Sequence, residues 1–285
     1  MLRSIQEWWN GPWRKPAKHE WDEKYSDDLK KSIGDMEFND IGKVGFLLCG
    51  PHQSGKSSFV NSVISISKGR QAHFATAMGG GTSITSKFRI IPDDDYFKNF
   101  EIRDTHGLAE NEEVGFNITD LIYALNGHIK ENYKFTGKPM ETTNNQFYRK
   151  EPCAADKSYC LVFVLDVQLL TKFTDKYCAK FRQVVNEIED KGIPMVLLLT
   201  KMDEIYPYLK KDVKYLFHSR AVEEAVKRAE KILGVQMKNI HPIVNLVEEP
   251  DVDPVKSIPI LLALKQILHY ASDNIESQSR KSATS

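Results

Sequence analysis

Neither sign of charge is in excess in this sequence, no two cysteines stand at metal-binding spacing, and no apolar run is long enough to cross a bilayer. Lys+Arg and Asp+Glu both total 39, so the formal net charge is zero. No whole-chain field then draws the protein to nucleic acid or acidic lipid; no nucleic-acid partner is expected, and any anion site must be local. The four cysteines, Cys49, Cys153, Cys160 and Cys178, lack a C-x-x-C pair, and Cys49 and Cys160 lie inside apolar runs. They read as reduced structural thiols rather than disulfides or a metal centre. Without a stretch of roughly 18 apolar residues there is no transmembrane helix to expect, and Arg3 and Glu7 stand where a signal peptide would be apolar. The expected location is cytoplasmic.

What is present is enough apolar residue for a full core: 41% hydrophobic content over 285 residues suits one large domain with an appendage. From Val44 onward, short β-branched runs alternate with longer amphipathic segments. Val44 to Cys49, Lys87 to Ile91, Phe100 to Arg103, Tyr159 to Asp166, Pro194 to Leu199 and Asn239 to Asn245 read as strands. Helical periodicity follows Lys56 and covers about Ile118 to Tyr133, Lys176 to Lys191, Arg220 to Leu233 and Val255 to Tyr270. This is an α/β fold with a mostly parallel central sheet and helices on both faces. Pro92-Asp93-Asp94-Asp95 separates the second and third strands by a turn, which makes one edge strand antiparallel.

The domain boundaries follow from the same pattern. Residues 1–40 hold all four tryptophans, Trp8, Trp9, Trp13 and Trp21, and a helix-like stretch from about Asp22 to Ile33. This extension either packs back on the domain or offers a membrane-surface or partner-docking face. Residues 41–273 form the domain proper, with a polar insertion at about 134–157 that lacks periodicity and is expected to be mobile. The Ser-rich tail, 274–285, is expected to be disordered.

Gly50-Pro51-His52-Gln53-Ser54-Gly55-Lys56-Ser57 has the form G-x-x-x-x-G-K-[ST], directly after a strand and before a helix. Each letter has a chemical reason. The glycines let backbone N–H groups turn toward phosphates, Lys56 reaches the β- and γ-phosphates, and the Ser57 hydroxyl serves magnesium. Gly50, His52, Gln53, Ser54, Gly55, Lys56 and Ser57, with Ser58 opening the helix, are therefore expected nucleotide contacts. The pattern is that of a P-loop GTPase once the later motifs are added.

Asp104-Thr105-His106-Gly107 ends the third strand in the form D-x-x-G. Asp104 would hold a magnesium-bound water and the Gly107 N–H would meet the γ-phosphate. Between the two motifs, Gly79-Gly80-Gly81-Thr82-Ser83-Ile84-Thr85-Ser86 has the flexibility of a switch loop; Thr85 is assigned to the magnesium shell, with Thr82 as the alternative. The fifth strand runs into Thr200-Lys201-Met202-Asp203, a T-K-x-D variant of the guanine motif N-K-x-D. Asp203 can accept from N1–H and the 2-amino group of guanine, whereas adenine offers no donor at either place. Lys201 would lie along the base, and Thr200 in place of asparagine is expected to fix the loop less well. Asn245, at the start of the loop after the last strand, can reach the base, although an asparagine in a turn is common on its own. Leu108 follows Gly107 where Ras-type GTPases carry the glutamine that orients water, so hydrolysis by the isolated chain should be slow; His106 is the nearest alternative catalyst.

Together with Leu47-Leu48-Cys49-Gly50 and Ser54 to Val63, the runs Asp104-Thr105-His106-Gly107-Leu108, Ala124-Leu125-Asn126-Gly127-His128-Ile129 and Asp253-Pro254-Val255-Lys256 make the sequence resemble the interferon-induced protein 44 and 44-like family. The last two runs are the narrower signals. The resemblance implies a Ras-like G domain, a cytoplasmic place and a role in the interferon-induced antiviral response of innate immunity, while GTP or GDP with magnesium as ligands is expected from the motifs themselves. It also implies an additional TLDc-type domain in the better-known members, for which this sequence has no room, so a single-domain relative is expected. Related large GTPases pair across their nucleotide faces, making a GTP-dependent homodimer or an unidentified protein partner an open expectation. The competing function is a nucleotide-independent antiviral scaffold that keeps the fold.

Overall fold

The computed structural model describes residues 11–15, 20–38, 41–72, 87–92, 95–105, 118–136, 138–247 and 249–283. Trp8, Trp9, Thr82, Thr85, His106, Gly107 and Leu108 lie outside them.

Helix α1 spans Glu23–Gly34, strand β1 Val44–Cys49, α2 Lys56–Lys68, β2 Arg89–Pro92, β3 Phe100–Asp104, α3 Ile118–Leu125, β4 Ser158–Asp166, α4 Asp175–Asp190, β5 Met195–Thr200, α5 Met202–Ile205, α6 Arg220–Leu233, β6 Ile240–Pro242 and α7 Pro254–Ala283. The strands form one sheet in the order β2-β3-β1-β4-β5-β6. All neighbours run parallel except β2 with β3. This is the Ras-like α/β arrangement expected from the sequence, with a single antiparallel edge strand. Every residue of β1, β4 and β5 is buried, which requires both faces of the sheet to be covered. Helix α7 lies against β1 and β4, and α3 touches the same two strands.

Because β1 pairs with β3 on one side and β4 on the other, its C-terminal end opens at the point where the strand order reverses. Loops following parallel strands meet there, which is where open α/β sheets bind ligands.

The leading segment is tied to the domain where it is described. Trp13 donates its N–H to Phe217 O at 2.8 Å and its indole Nε1–H to Leu216 O at 3.2 Å. The Trp13 and Trp21 rings both stand edge-on to Phe217. Asp22 caps α1 by accepting from Tyr25 N, and Trp21, Tyr25, Leu29 and Ile33 form its buried stripe against α7.

The insertion at 134–157 is largely exposed, as a polar surface segment, yet it is tied to the domain at defined points. Asp120 on α3 accepts from Tyr133 Oη at 3.0 Å and Met140 N at 2.7 Å. Arg103 on β3, only 2% exposed, donates to the carbonyls of Ala155 and Asp156 and pairs with Glu101. Phe135 and Met140 are buried, and these scattered apolar residues have no period for a sequence reading to detect. The tail expected to be disordered from 274 is instead the last part of α7, which continues to Ala283. Asn274 donates to Tyr159 O at 2.8 Å, Ile275 is buried, and Glu276 pairs with Arg280 one turn on. Smaller differences are that α3 ends at Leu125 rather than Tyr133, and β6 is only Ile240–Pro242.

Deleting residues 274–285 should therefore destabilise the protein. Burial of Ile275 and the Asn274 hydrogen bond together represent about 2–3 kcal/mol. Chemical denaturation of the truncated chain tests this; a midpoint equal to that of the intact protein would restore the reading of an unattached tail.

Candidate functional site: a phosphate loop joined to a base pocket

The phosphate loop leaves β1 at Gly50, where φ is +143° and an added Cβ would lie 2.1 Å from Val164 O. Only glycine lets the chain pass so close to β4. Gly55 is also left-handed, with φ +95°, and its missing Cβ leaves room for Thr200 Oγ1 and Asn245 Nδ2. Lys56 opens α2 and turns back over the loop, donating to Gly50 O at 3.0 Å and Pro51 O at 2.8 Å. Burial lowers its pKa, while the nearby Asp104 carboxylate acts in the opposite sense. Ser54 Oγ is buried and has no hydrogen-bond partner among the described residues. His52 and Gln53 are exposed, and Ser57 and Ser58 are partly buried at the start of α2.

The base half is built from the next strands along the same edge. Thr200, fully buried at the end of β5, donates its hydroxyl to Ser54 O at 2.7 Å. Threonine therefore does fix this loop to the phosphate loop through its one hydroxyl donor, which also lies 3.3 Å from Leu165 O. Lys201 follows in a left-handed conformation, and Asp203 lies on the short helix α5, with Lys210 Nζ 3.7 Å away. Beyond β6, Asn245 Nδ2 approaches Gly55 O at 3.4 Å and its Oδ1 is buried with no partner among the described residues. Leu246 N donates to Ser62 Oγ of α2 at 2.9 Å, fixing this loop to the phosphate-loop helix.

Between these loops is a cavity of about 550 Å³, lined by Gly55 and Ser58 on one side and Lys201, Asp203 and Asn245 on the other. The structure thus brings together the loop Gly50 to Ser58 with Thr200, Lys201, Asp203 and Asn245. Asp104 ends β3 in register with Leu48, just before the loop. Sequence reasoning missed Asp166, Ser62, Glu249 and Lys256. Lys256 Nζ is hydrogen-bonded to Glu249 on the cavity wall. Burial works to raise the Glu249 pKa, but hydrogen bonds from Lys256 and from backbone N–H groups outweigh it and hold the carboxyl below its usual value.

Ser57 and Asp104 offer one hydroxyl and one carboxylate, hard oxygen donors of the kind magnesium takes alongside phosphate and water. Among the described residues, no group of three or more His, Cys, Asp or Glu side chains could hold a metal alone. This donor set fits an ion that arrives with a nucleotide. Thr85, Gly107 and His106, also assigned from sequence, lie outside the described residues.

No family model matches the chain. Among curated proteins it is 33% identical to human interferon-induced protein 44-like over 83% of its own length and 53% of that protein. It is 31% identical to mouse interferon-induced protein 44, over 86% of this chain and 58% of the relative. The chain thus spans about half the length of the curated relatives it matches. Similar solved structures include a probable GTP-binding protein, engB, with TM-score 0.45, 15% identity and coverage of 81% of this chain and 99% of that one. A GTP-binding protein from Sulfolobus solfataricus in complex with GDP has TM-score 0.36 and 18% identity, with coverage of 81% and 53%.

Replacing Thr200 by valine keeps the shape and removes the donor, leaving the buried Ser54 carbonyl without it. Thr200→Val should lower unfolding stability by about 1–3 kcal/mol, and Thr200→Ser by less. Urea denaturation of both variants checks the assignment; a loss in Thr200→Ser with none in Thr200→Val would trace the effect to the methyl group instead.

Proposed function

The chain is related in sequence to the interferon-induced protein 44 family over most of its length, and from that premise we propose that it binds GTP and GDP with magnesium and acts as a nucleotide-dependent switch with slow hydrolysis. The observation that carries this reading is the cavity in which a phosphate loop and an aspartate-bearing base loop face each other. The glycine-shaped loop suits a polyphosphate, with Lys56 meeting the β- and γ-phosphates and Ser57 and Asp104 holding magnesium. When bound, the ion would neutralise phosphate charge. Asp203 accepts from the guanine N1–H and 2-amino groups. A purine lacking those donors would leave the carboxylate unpaired, and sites of this kind discriminate by up to about 10⁴-fold.

The relatives' names support an interferon-induced setting, and the antiviral and cytoplasmic roles expected from the resemblance are part of the proposal. So are a GTP-dependent homodimer and a protein partner. Among the described residues no helix is long and apolar enough to cross a membrane.

Melting temperature should rise with GTP or GDP concentration when magnesium is present, by the equivalent of about 2.7 kcal/mol at a hundredfold excess over Kd. Lys56→Ala and Ser57→Asn should remove most of the rise. Absence of any shift for the unmutated protein at millimolar GTP would leave the scaffold reading instead. Asp203→Asn should exchange guanine for xanthine preference, because the amide can donate to the oxygen that replaces the 2-amino group.

Turnover should be slow, since Leu108 cannot orient water. Single-turnover hydrolysis over a protein concentration series provides the check. A rate rising with concentration would indicate the homodimer, and a rate near one per second that survives dilution would refute slow intrinsic turnover.

A further inference from the structure

Lys201 is the left-handed residue of the base loop, with φ 58° and ψ 38°. That conformation is strained for a non-glycine residue and persists only where the surroundings hold it. Its ammonium is bonded to Asp166 Oδ2 at 2.7 Å. Asp166 is the last residue of β4 and stands in register with Thr200, the residue before Lys201. Its other oxygen, Oδ1, accepts from Gln168 N at 2.8 Å, so both carboxylate oxygens are engaged. The Asp166 side chain is 9% exposed and that of Lys201 is 35% exposed. The buried partner is therefore the fixed one, and the lysine is placed by it.

Resting on the guanine-nucleotide reading, we propose that Asp166 is a positioning residue of the base site. It anchors the Lys201 ammonium at the β4 end, so that the lysine stem forms the cavity wall along which the base lies. The anchor has a second consequence. Lys201 is two residues from Asp203, and a loose ammonium there would compete with guanine for the carboxylate that reads it. Bound to Asp166, the charge of Lys201 is already neutralised and is kept from Asp203, whose Oδ2 has the exposed Lys210 ammonium at 3.7 Å. The β4 strand thus contributes to base recognition although no residue of it belongs to the T-K-x-D run.

The test measures binding of fluorescently labelled GDP to the full chain with magnesium, in the unmutated protein, Asp166→Asn, Lys201→Met and the double variant. Inorganic pyrophosphate serves as a competitor that has no base. Asparagine still accepts from Gln168 N, so the strand end is kept; Asp166→Ser, which can cap it too, serves if the asparagine variant does not fold. The expected result is about tenfold weaker GDP binding for Asp166→Asn, equivalent to about 1.4 kcal/mol, with pyrophosphate competition unchanged. The double variant should bind no more weakly than Lys201→Met alone, as two residues acting through one contact require. Unchanged GDP affinity in Asp166→Asn, or equal weakening of GDP and pyrophosphate, overturns the inference while leaving the guanine reading standing. An unmutated protein that binds no labelled GDP overturns both.

Discussion

The hydrogen bond from the Thr200 hydroxyl to the Ser54 carbonyl joins the end of β5 to the middle of the phosphate loop, and the rest of the site depends on it. A phosphate loop and a base loop come from strands that are not neighbours, since β4 lies between β1 and β5. Their separation must be set by something shorter than the sheet. Thr200 sets it across Gly55, where an added Cβ would approach the Thr200 hydroxyl to 3.2 Å and must also satisfy a φ of +95°. The bond from Leu246 N to Ser62 Oγ does the same for the loop after β6. Three loops are thereby held at fixed spacing around one cavity, which is the preorganisation the proposed nucleotide site would require.

The insertion bears on this arrangement from the other edge. Arg103, whose guanidinium reaches the carbonyls of Ala155 and Asp156, immediately precedes Asp104. Asp120, bonded to Tyr133 and Met140, is on the first turn of α3. Phe88 N donates to Tyr133 O at 2.8 Å, and Asn132 N to Phe88 O at 2.9 Å, just before β2. Burying a charged guanidinium and a carboxylate is costly unless each is well paired, and here each is satisfied by groups of the insertion or beside it. The insertion therefore helps to locate β2, β3 and α3 rather than hanging from them. Gly45 on β1 is part of the same device, because a side chain there would lie within 2.7 Å of the Arg103 guanidinium.

Much of the fold and the outline of the site were legible in the sequence because they depend on local pattern. Buried strands such as Val44–Cys49 and Met195–Thr200 are continuous apolar runs, and the phosphate loop and base loop are contiguous motifs. What escaped depends on contacts between distant positions. Asp166 looks like an ordinary strand-end aspartate until β4 and β5 are placed side by side and Lys201 is found on its carboxylate. Ser62 is one hydroxyl among several in α2, and only its bond to Leu246 distinguishes it. The helical end of α7 was hidden by its Ser-rich composition, since the bond from Asn274 to Tyr159 spans 115 residues.

The two runs that narrow the resemblance most have structural reasons of their own. Gly127, in Ala124-Leu125-Asn126-Gly127-His128-Ile129, follows α3 with φ +82°, and an added Cβ would lie 2.6 Å from Asp156 O. Its lack of a side chain is what lets the insertion close on α3, with Arg149 donating to Gly127 O and pairing with Asp156. In Asp253-Pro254-Val255-Lys256, Asp253 Oδ1 accepts from Val255 N and Lys256 N, capping α7, while Pro254 stands at its first position, where a missing N–H costs nothing. Lys256 then reaches Glu249, which in turn accepts from Val247 N. One run thus seats the insertion and the other fixes the cavity wall beside Asn245. The narrow sequence signal describes how the base pocket and the insertion are braced, and the widely shared phosphate loop describes what the pocket is braced to hold.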